Sequence, residues 1–292
     1  MKVWINGRCL CPADAKIAVY DRGFLYGDGL FETMRSFNGK VFKLDEHLSR
    51  LWRSARVLRI KVPYPKKRLK AAVCRTLDAA GLKDAYIRLM VTRGGGIFTF
   101  RPGSLRAAPS VVIIVKKFGP YPARLYSSGI SAKISGIKQD ESSPLAGIKS
   151  LNFLKYILAR IDARESGFDD AILLNTKGNV AEAATSNIFL VRRGRLITPS
   201  LMSGALPGIT RDAVIRMAKK MRISVKERVV FRRELFSADE IFFTGSLAGI
   251  LPVAKIGGHP VGRGRPGEVT RLLYEKWEEA ALSKSNIRKK IK

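Results

Sequence analysis

Two residues of this 292-residue sequence have surroundings that could give them a chemical role. Lys149 has apolar neighbours within residues 147–153, and burial of a lysine favours the neutral amine, which can form a Schiff base. Glu182 is a lone acid among small and apolar residues, where a buried carboxylate needs a cationic partner. Each also has an ordinary interpretation, because a lysine stem can pack while its charge reaches solvent and a glutamate can form a surface salt bridge.

Two segments with glycine and hydroxyl side chains could bind an anion. Gly208–Thr210 opens a predicted helix, whose free N–H groups and dipole favour a phosphate. Thr244–Ser246 follows an apolar strand and offers further N–H and hydroxyl donors. Taken singly, a helix cap and an ordinary turn explain these segments better. Arg35 and Arg50 are as consistent with a surface role as with a functional one.

These groups become more specific when they are considered together. They supply an amine nucleophile, a carboxylate, an arginine and two sets of anion donors. Pyridoxal 5′-phosphate requires a Schiff-base lysine, a partner for its pyridinium nitrogen and donors for its phosphate. The combined inventory therefore suits this cofactor.

The apolar pattern predicts an α+β protein with two domains that would position these groups. Two prolines and a glycine in Lys117–Pro122 predict a linker, which gives a small N-terminal domain over 1–120 and a larger C-terminal cofactor-binding domain over 121–292. Strands are predicted at Lys2–Ile5, Leu30–Phe37, Ala85–Thr92, Val111–Val115, Ile130–Ile134, Ala171–Asn175, Val180–Ala184, Asn187–Val191 and Ile241–Phe243. Helices are predicted with Asp45 as cap, over Lys66–Ala80, on the stripe Leu151, Leu154, Leu158 and Ile161, after Gly208 and over Glu268–Leu282.

Composition excludes several classes of protein. With 46% hydrophobic residues the chain is not a disordered basic tail, and no apolar run reaches the roughly 18 residues of a membrane span. Three cysteines and two histidines make neither a disulfide framework nor a zinc site, so no metal is expected and a reduced, cytoplasmic protein is the default. The net charge of +30 is spread along the chain, although the last ten residues carry five basic side chains. A basic nucleic-acid-binding protein without catalysis remains the alternative from another class.

The order and spacing of several motifs resemble the class IV aminotransferase family, the fold-type IV pyridoxal-phosphate enzymes, over nearly the whole chain. Within it, the branched-chain aminotransferase and aminodeoxychorismate lyase branch is the most similar. The resemblance implies the two-domain fold of these enzymes and a homodimer. The motifs are Asp21–Arg35, His47–Leu51, Ala85–Arg88, Ile148–Leu154, Glu182 with Asn187–Phe189, Leu206–Arg211 and Thr244–Val253.

The resemblance also implies a role for each candidate residue. Lys149 would bind the cofactor covalently and move a proton between the substrate and the cofactor. Glu182 would keep the pyridine nitrogen protonated. The phosphate would be bound by Arg50, Ile209, Thr210 and Ser246. The substrate would be bound by Tyr26, Phe31, Arg35, Tyr86, Arg88 and, at the Ser246–Leu247 turn, by Leu247.

The reaction favoured is amino transfer between an amino acid, branched-chain or otherwise apolar, and a 2-oxo acid such as 2-oxoglutarate. Thr33 and the turn Ser246–Gly249 resemble instead 4-amino-4-deoxychorismate lyases, which eliminate pyruvate and give 4-aminobenzoate, so this activity is the alternative. Residues Ile97–Pro102 lack the Arg-x-His pair typical of the D-amino-acid branch. Phe153 stands where the family frequently has tyrosine, which removes a hydroxyl from the cofactor's side.

Overall fold

The computed structural model describes residues 1–95 and 108–283, which form two compact units. The first unit holds the described parts of Met1–Gly119 and Ala281–Lys292 together with Ile148–Asn152, and the second holds Pro120–Gly147 and Phe153–Ala280. The Lys149 segment is therefore grouped with the N-terminal residues. The loop Ile97–Pro102 and the basic tail from Lys284 onward lie outside the described residues.

The first unit is an antiparallel six-stranded sheet with the order β2-β1-β6-β5-β3-β4. One face packs against two helices through a core that includes Leu30, Met34, Leu48, Leu51 and Leu69. The strands are β1 (Lys2–Ile5), β2 (Arg8–Leu10), β3 (Gly29–Phe37), β4 (Lys40–Val41), β5 (Ala85–Thr92) and β6 (Val111–Lys117), and the helices are α1 (Arg22–Tyr26), α2 (Leu44–Val57) and α3 (Lys66–Ala79).

The start of α2 differs from the sequence prediction. Lys43, in the left-handed conformation, precedes the helix and gives it no side-chain cap. Asp45 lies in the first turn instead, where its charge complements the positive end of the helix dipole, and its side chain bonds Lys70 at 2.6 Å. The prediction that Asp45 caps the helix is therefore wrong.

The second unit is a mixed nine-stranded sheet with the order β12-β11-β10-β13-β14-β7-β8-β9, and β15 pairs with β14. The pairs β11–β12, β14–β7 and β7–β8 are parallel. The strands are β7 (Ile130–Ile134), β8 (Asp170–Leu174), β9 (Val180–Ala183), β10 (Asn187–Arg192), β11 (Arg195–Pro199), β12 (Val225–Arg228), β13 (Glu240–Gly245), β14 (Gly249–Ile256) and β15 (His259–Pro260), and the helices are α4 (Arg124–Ser127), α5 (Leu154–Glu165), α6 (Ile209–Lys220) and α7 (Glu268–Ser283).

The apolar stripe predicted after Lys149 has a different place in the structure. Leu151 lies before α5, and Leu154, Leu158 and Ile161 are exposed on it rather than buried. The small residues Ala159 and Ala163 form its buried contact instead. The spacing of Leu154, Leu158 and Ile161 correctly predicted a helix, but spacing alone does not show whether these residues face the core or the solvent.

In the part of the chain that the structure describes, no helix is long and apolar enough to cross a membrane.

Candidate active site

Lys149 is held in place by backbone pairing between its own segment and the start of β3. The N–H of Phe31 donates to the Lys149 carbonyl at 2.9 Å, and the N–H of Leu151 donates to the Gly29 carbonyl at 2.9 Å. A Cβ at Gly29 would meet Leu151 at 2.6 Å and the Val91 carbonyl at 2.8 Å, so glycine is needed for this close approach. The pairing fixes Lys149 opposite Phe31 independently of any helix.

The ring of Phe31 lies next to two cationic side chains. The Lys149 Nζ is 4.6 Å from the ring centroid, and the Arg88 guanidinium carbon is 3.9 Å from it. Cations at these distances interact favourably with the face of an aromatic ring. The structure therefore brings together three of the residues predicted from the sequence.

Four predicted substrate-side residues share one half-buried face of the first sheet. Residues directly opposite in an antiparallel pair point to the same face, and β3 pairs with β5 through Thr33↔Arg88 and Arg35↔Tyr86. By alternation along β3, Phe31 belongs to the same face. Arg35 lies further along it, with its guanidinium 4.2 Å from the Phe37 ring and 3.9 Å from the Phe118 ring.

Tyr26 ends the short helix α1, next to Gly27. The Arg22 guanidinium lies 5.0 Å from the Tyr26 ring centroid. The Asn152 side-chain amide donates to the Gly27 carbonyl at 3.0 Å, so the Lys149 segment also contacts the backbone beside Tyr26. Tyr26 itself is 38% exposed.

Arg50 lies in a buried network on the opposite face of the same sheet. Its Nε and Nη2 donate to Glu32 at 2.8 and 2.6 Å, and Glu32 also accepts from His47 Nδ1 at 2.7 Å. Burial raises the pKa of the Glu32 carboxyl, but Arg50 and His47 outweigh burial and lower this pKa to about 2. Burial lowers the pKa of His47, the hydrogen bond and charge of Glu32 raise it, and the charges of Arg50 and Lys149 lower it again, so that the pKa falls below its usual value. His47 is therefore neutral at pH 7, with its proton on Nδ1 facing the carboxylate.

In the second unit, Glu182 is buried on β9 and is held from two sides. The Tyr156 hydroxyl lies 3.1 Å from Oε1, and the Leu206 N–H donates to Oε2 at 2.9 Å. Burial, followed by the charge and hydrogen bond of Glu182, raises the pKa of the Tyr156 phenol, which stays a neutral donor. The same hydroxyl lies 3.2 Å from Oε1 of the buried Gln139, which accepts from Lys155 at 2.5 Å.

The first turn of α6 presents backbone N–H groups without a side-chain cap. Gly208 precedes the helix, and a Cβ there would overlap the side-chain oxygen of Asn187, whose amide donates to the Leu206 carbonyl at 2.8 Å. Ile209 and Thr210 are buried in this turn. The N–H groups and the positive end of the helix dipole make an anion site.

The end of β13 lies beside this turn. Thr244 pairs with Asn187 in the sheet, and the Thr244 hydroxyl is buried without a hydrogen-bond partner among the described residues. Ser246 and Leu247 continue the chain into the turn before β14. Thr244–Leu247 and the start of α6 thus share Asn187 as a neighbour.

Several residues of the site were not predicted from the sequence. Glu32 had a signal that could have been read, since it is an acid in an apolar strand, as Glu182 is. Tyr156 lies one helical turn after Phe153, and their ring centroids are 4.9 Å apart. Gln139 and Asn187 were outside the predicted roles, because an amide in a loop or at a strand start has no distinctive local pattern.

Comparison with known proteins identifies the family. The sequence profile of the family described as "Amino-transferase class IV" matches residues 29–256.

The chain belongs to the class IV aminotransferases.

Individual relatives and solved structures support this family assignment. A Methanocaldococcus jannaschii protein assigned provisionally as a branched-chain-amino-acid aminotransferase is 41% identical over 96% of this chain and 96% of its own length. The solved branched-chain amino acid aminotransferase of Escherichia coli has a TM-score of 0.93 at 32% identity, covering 99% of this chain and 97% of that one. The branched-chain amino acid aminotransferase of Thermoproteus uzoniensis, solved with norvaline, has a TM-score of 0.90 at 36% identity, covering 98% and 96%.

These matches confirm the predicted family, the α+β fold-type IV architecture and the aminotransferase activity of the branched-chain type. All three similar proteins are named aminotransferases, which favours amino transfer over the lyase alternative.

Proposed function

We propose that this class IV aminotransferase uses pyridoxal 5′-phosphate bound by the residues described above. The chemistry of the donor set fits the cofactor: an amine for its aldehyde, a buried carboxylate for its ring nitrogen, and N–H and hydroxyl donors for its phosphate. The observation that carries the proposal is the fixed position of Lys149, whose segment pairs with β3. A further solved branched-chain aminotransferase, 30% identical to this chain, is complexed with N-(5′-phosphopyridoxyl)-L-glutamate, which supports the proposal.

When bound, the cofactor supplies a ring that accepts electrons from the substrate Cα. Lys149 Nζ would then carry the proton between the substrate Cα and the cofactor C4′. Glu182 holds the proton on the pyridine nitrogen, and Tyr156 and the Leu206 N–H keep its carboxylate in one orientation. In the second unit, the α6 turn at Ile209 and Thr210 and the Ser246 hydroxyl would hold the phosphate. For Arg50, in the first unit, the family resemblance implies the same role, and its ion pair with Glu32 restrains its side chain.

For the substrates we propose an apolar amino acid, branched-chain for preference, and a 2-oxo acid such as 2-oxoglutarate. The half-buried face with Phe31, Tyr86 and Arg88 combines an aromatic surface with a cation, which suits an apolar side chain next to a carboxylate. Tyr26 on α1 and Arg35 on β3 would contact the substrate as well, and Leu247 would offer its N–H to the substrate carboxylate. The names of the relatives support the branched-chain preference.

We also propose that the enzyme is a cytoplasmic homodimer. The exposed apolar residues of α5 support the dimer, since Leu154, Ile157, Leu158 and Ile161 are between 46% and 65% exposed. They recur at the spacing of one helix face. Burial of such a face against a second copy would remove it from water.

The cofactor proposal is tested by trapping. Wild-type protein incubated with pyridoxal 5′-phosphate and reduced with borohydride should carry the cofactor mass on the peptide that contains Lys149. Lys149→Ala should carry none and lose transaminase activity by at least about a thousandfold, whereas Lys177→Ala, an exposed lysine in a turn of the second unit, should behave as wild type. Label found on another lysine, or full activity of Lys149→Ala, would contradict the assignment.

The reaction is tested on the same preparation. Leucine with 2-oxoglutarate should yield glutamate, and aminodeoxychorismate should yield neither pyruvate nor 4-aminobenzoate. Pyruvate formation without glutamate would show that the lyase alternative is the activity of this chain.

A further inference from the structure

A strongly basic cavity lies at the edge of the second sheet, where β10, β11 and the edge strand β12 run side by side. Its volume is about 430 Å³. The pairs Arg192↔Arg195 and Ile197↔Lys226 place side chains of all three strands on the same face. The lining consists of one apolar residue and five cations: Ile197, Arg192, Arg193, Arg195, Lys226 and Arg228.

Most of these cations form no ion pair within the described residues, although the charge of Arg192 also acts on Glu234. Arg228 forms a two-point ion pair with Glu234 at 2.6 and 3.0 Å. The other four cations of the cavity form no ion pair with any residue in 1–95 or 108–283. Glu227, the acid on β12, is bonded to Arg211 at 2.9 Å instead. Because the strands hold the cationic side chains close together, a bound anion would relieve their mutual repulsion.

The cavity is well separated from the proposed cofactor site in the same unit. Asn187, which borders the α6 turn, begins β10, and Arg192 ends it. Five residues of a strand span about 17 Å. An anion bound at Arg192 is therefore a second ligand, and the inference does not depend on the proposed function.

We propose that this cavity binds a small anion with two or three linked phosphates, such as free tripolyphosphate or a nucleoside triphosphate. Arginine is suited to phosphate because its planar guanidinium donates two parallel hydrogen bonds to two oxygens. A single phosphate would satisfy one or two of these side chains, whereas the four cations without an ion pair match a linked series of phosphates. The volume lies within the roughly 300–1,000 Å³ of small-molecule sites.

The test uses the cofactor-loaded enzyme, so that the cofactor's own phosphate site is filled. Tripolyphosphate and ATP are titrated calorimetrically at about 0.1 M salt, where long-range surface attraction is largely screened. The variant Arg192→Gln/Arg195→Gln should bind both at least about tenfold more weakly, since each lost charge-assisted hydrogen bond is worth a factor of this size. The control Arg56→Gln/Arg75→Gln removes the same charge from exposed positions on α2 and α3 and should bind within about twofold of wild type.

Three outcomes would overturn the proposal. Wild-type enzyme could fail to bind either anion, or the two double variants could lose affinity equally, which would assign binding to the overall charge. A third arm titrates a single-stranded oligonucleotide; dependence of that binding on Arg192 and Arg195, without binding of tripolyphosphate, would show that the ligand is a nucleic acid. Cofactor absorbance, measured in each sample, separates these results from failure of the proposed cofactor site.

Discussion

Glu32 is a single residue that orients two others. It lies in β3 with 1% of its surface exposed and bonds both Arg50 and His47. Removal of one partner from such a buried ion pair leaves an uncompensated charge, which costs more than the pair contributes. Glu32 therefore compensates the charge of Arg50 in the interior of the first unit and restrains its side chain.

The lowered pKa of Glu32 predicts how stability depends on pH. Because the pKa falls from 4.5 to about 2 on folding, the ionised carboxylate stabilises the folded state above pH 4.5 and this contribution is lost as pH falls towards 2. The full contribution is on the order of 3 kcal/mol. Urea unfolding between pH 5 and 2.5 should show a smaller acid-dependent loss for Glu32→Gln than for wild type. Glu275→Gln, at an exposed position on α7, should keep the wild-type dependence; an equal dependence in Glu32→Gln would contradict the prediction.

Tyr156 orients the Glu182 carboxylate by a hydrogen bond, as Glu32 orients the Arg50 guanidinium. Its hydroxyl reaches the Glu182 carboxylate, and its neighbour Gln139 is fixed by bonds to Lys155 and to the Gly204 carbonyl. Burial lowers the pKa of Lys155, whereas the charge of Glu182 raises it. Phe153 has no hydroxyl, whereas Tyr156, one helical turn later, contacts Glu182 through its hydroxyl.

We expect Tyr156→Phe to weaken binding of pyridoxal 5′-phosphate to the apoenzyme by about tenfold or more, since a hydrogen bond to a charged group is worth roughly 1.5–3 kcal/mol. The pH at which the visible absorbance of the bound cofactor changes should shift as well. Tyr274→Phe is the matched control, because that hydroxyl bonds Glu278 on the surface of α7 at 2.7 Å and not Glu182. Unchanged affinity and an unchanged spectral titration in Tyr156→Phe would show that Tyr156 only fills space.

At the scale of elements, the short pairing between residues 148–152 and β3 decides where the reactive amine lies. Leu30 and Ser150 form an antiparallel bridge, and Gly29 provides the space for Leu151. An extended segment fixes a side chain on alternate faces, so one residue of slippage would turn Lys149 away from Phe31.

Helix α5 has an exposed apolar face, formed by Leu154, Ile157, Leu158 and Ile161. Its exposed apolar face should bury against a second copy, so Ile157→Glu/Ile161→Glu should shift the enzyme from dimer to monomer in light scattering after size exclusion. Leu272→Glu changes an apolar residue of α7 with 39% exposure and should leave the dimer intact. A wild-type monomer, or a double variant that stays dimeric, would refute the role of α5.

On the scale of the whole molecule, the net charge of +30 is not distributed evenly over the protein. Part of it is compensated in the interior, as at Arg50 and Arg211, and part is concentrated on one face of β10–β12. A surface with this excess attracts anions over several ångströms and speeds their association. It can thus act on a phosphorylated cofactor and on carboxylate substrates before contact.

The family, the candidate chemical groups and most of the elements could be predicted from the order of the residues alone. Lys149, Glu182 and the α6 turn were predicted as site residues from their combination and from the family resemblance, since none of them is specific alone. Strands β3 and β5 were predicted because apolar residues alternate along them. The cap position of α2 is Lys43, two residues before the predicted cap Asp45, since cap and first turn attract the same residue types.

The contacts between side chains that are far apart in the sequence could be seen in the folded structure alone. Glu32 with Arg50, Tyr156 with Glu182 and Phe31 with Lys149 are contacts between distant parts of the chain, and local spacing contains no information about them. The outward direction of the α5 stripe likewise depends on packing, and the convergence of four strand cations with Arg193 of the β10–β11 turn depends on strand order and register. The physical reason is that periodicity reports the geometry of one element, whereas burial and charge pairing arise only when elements pack together.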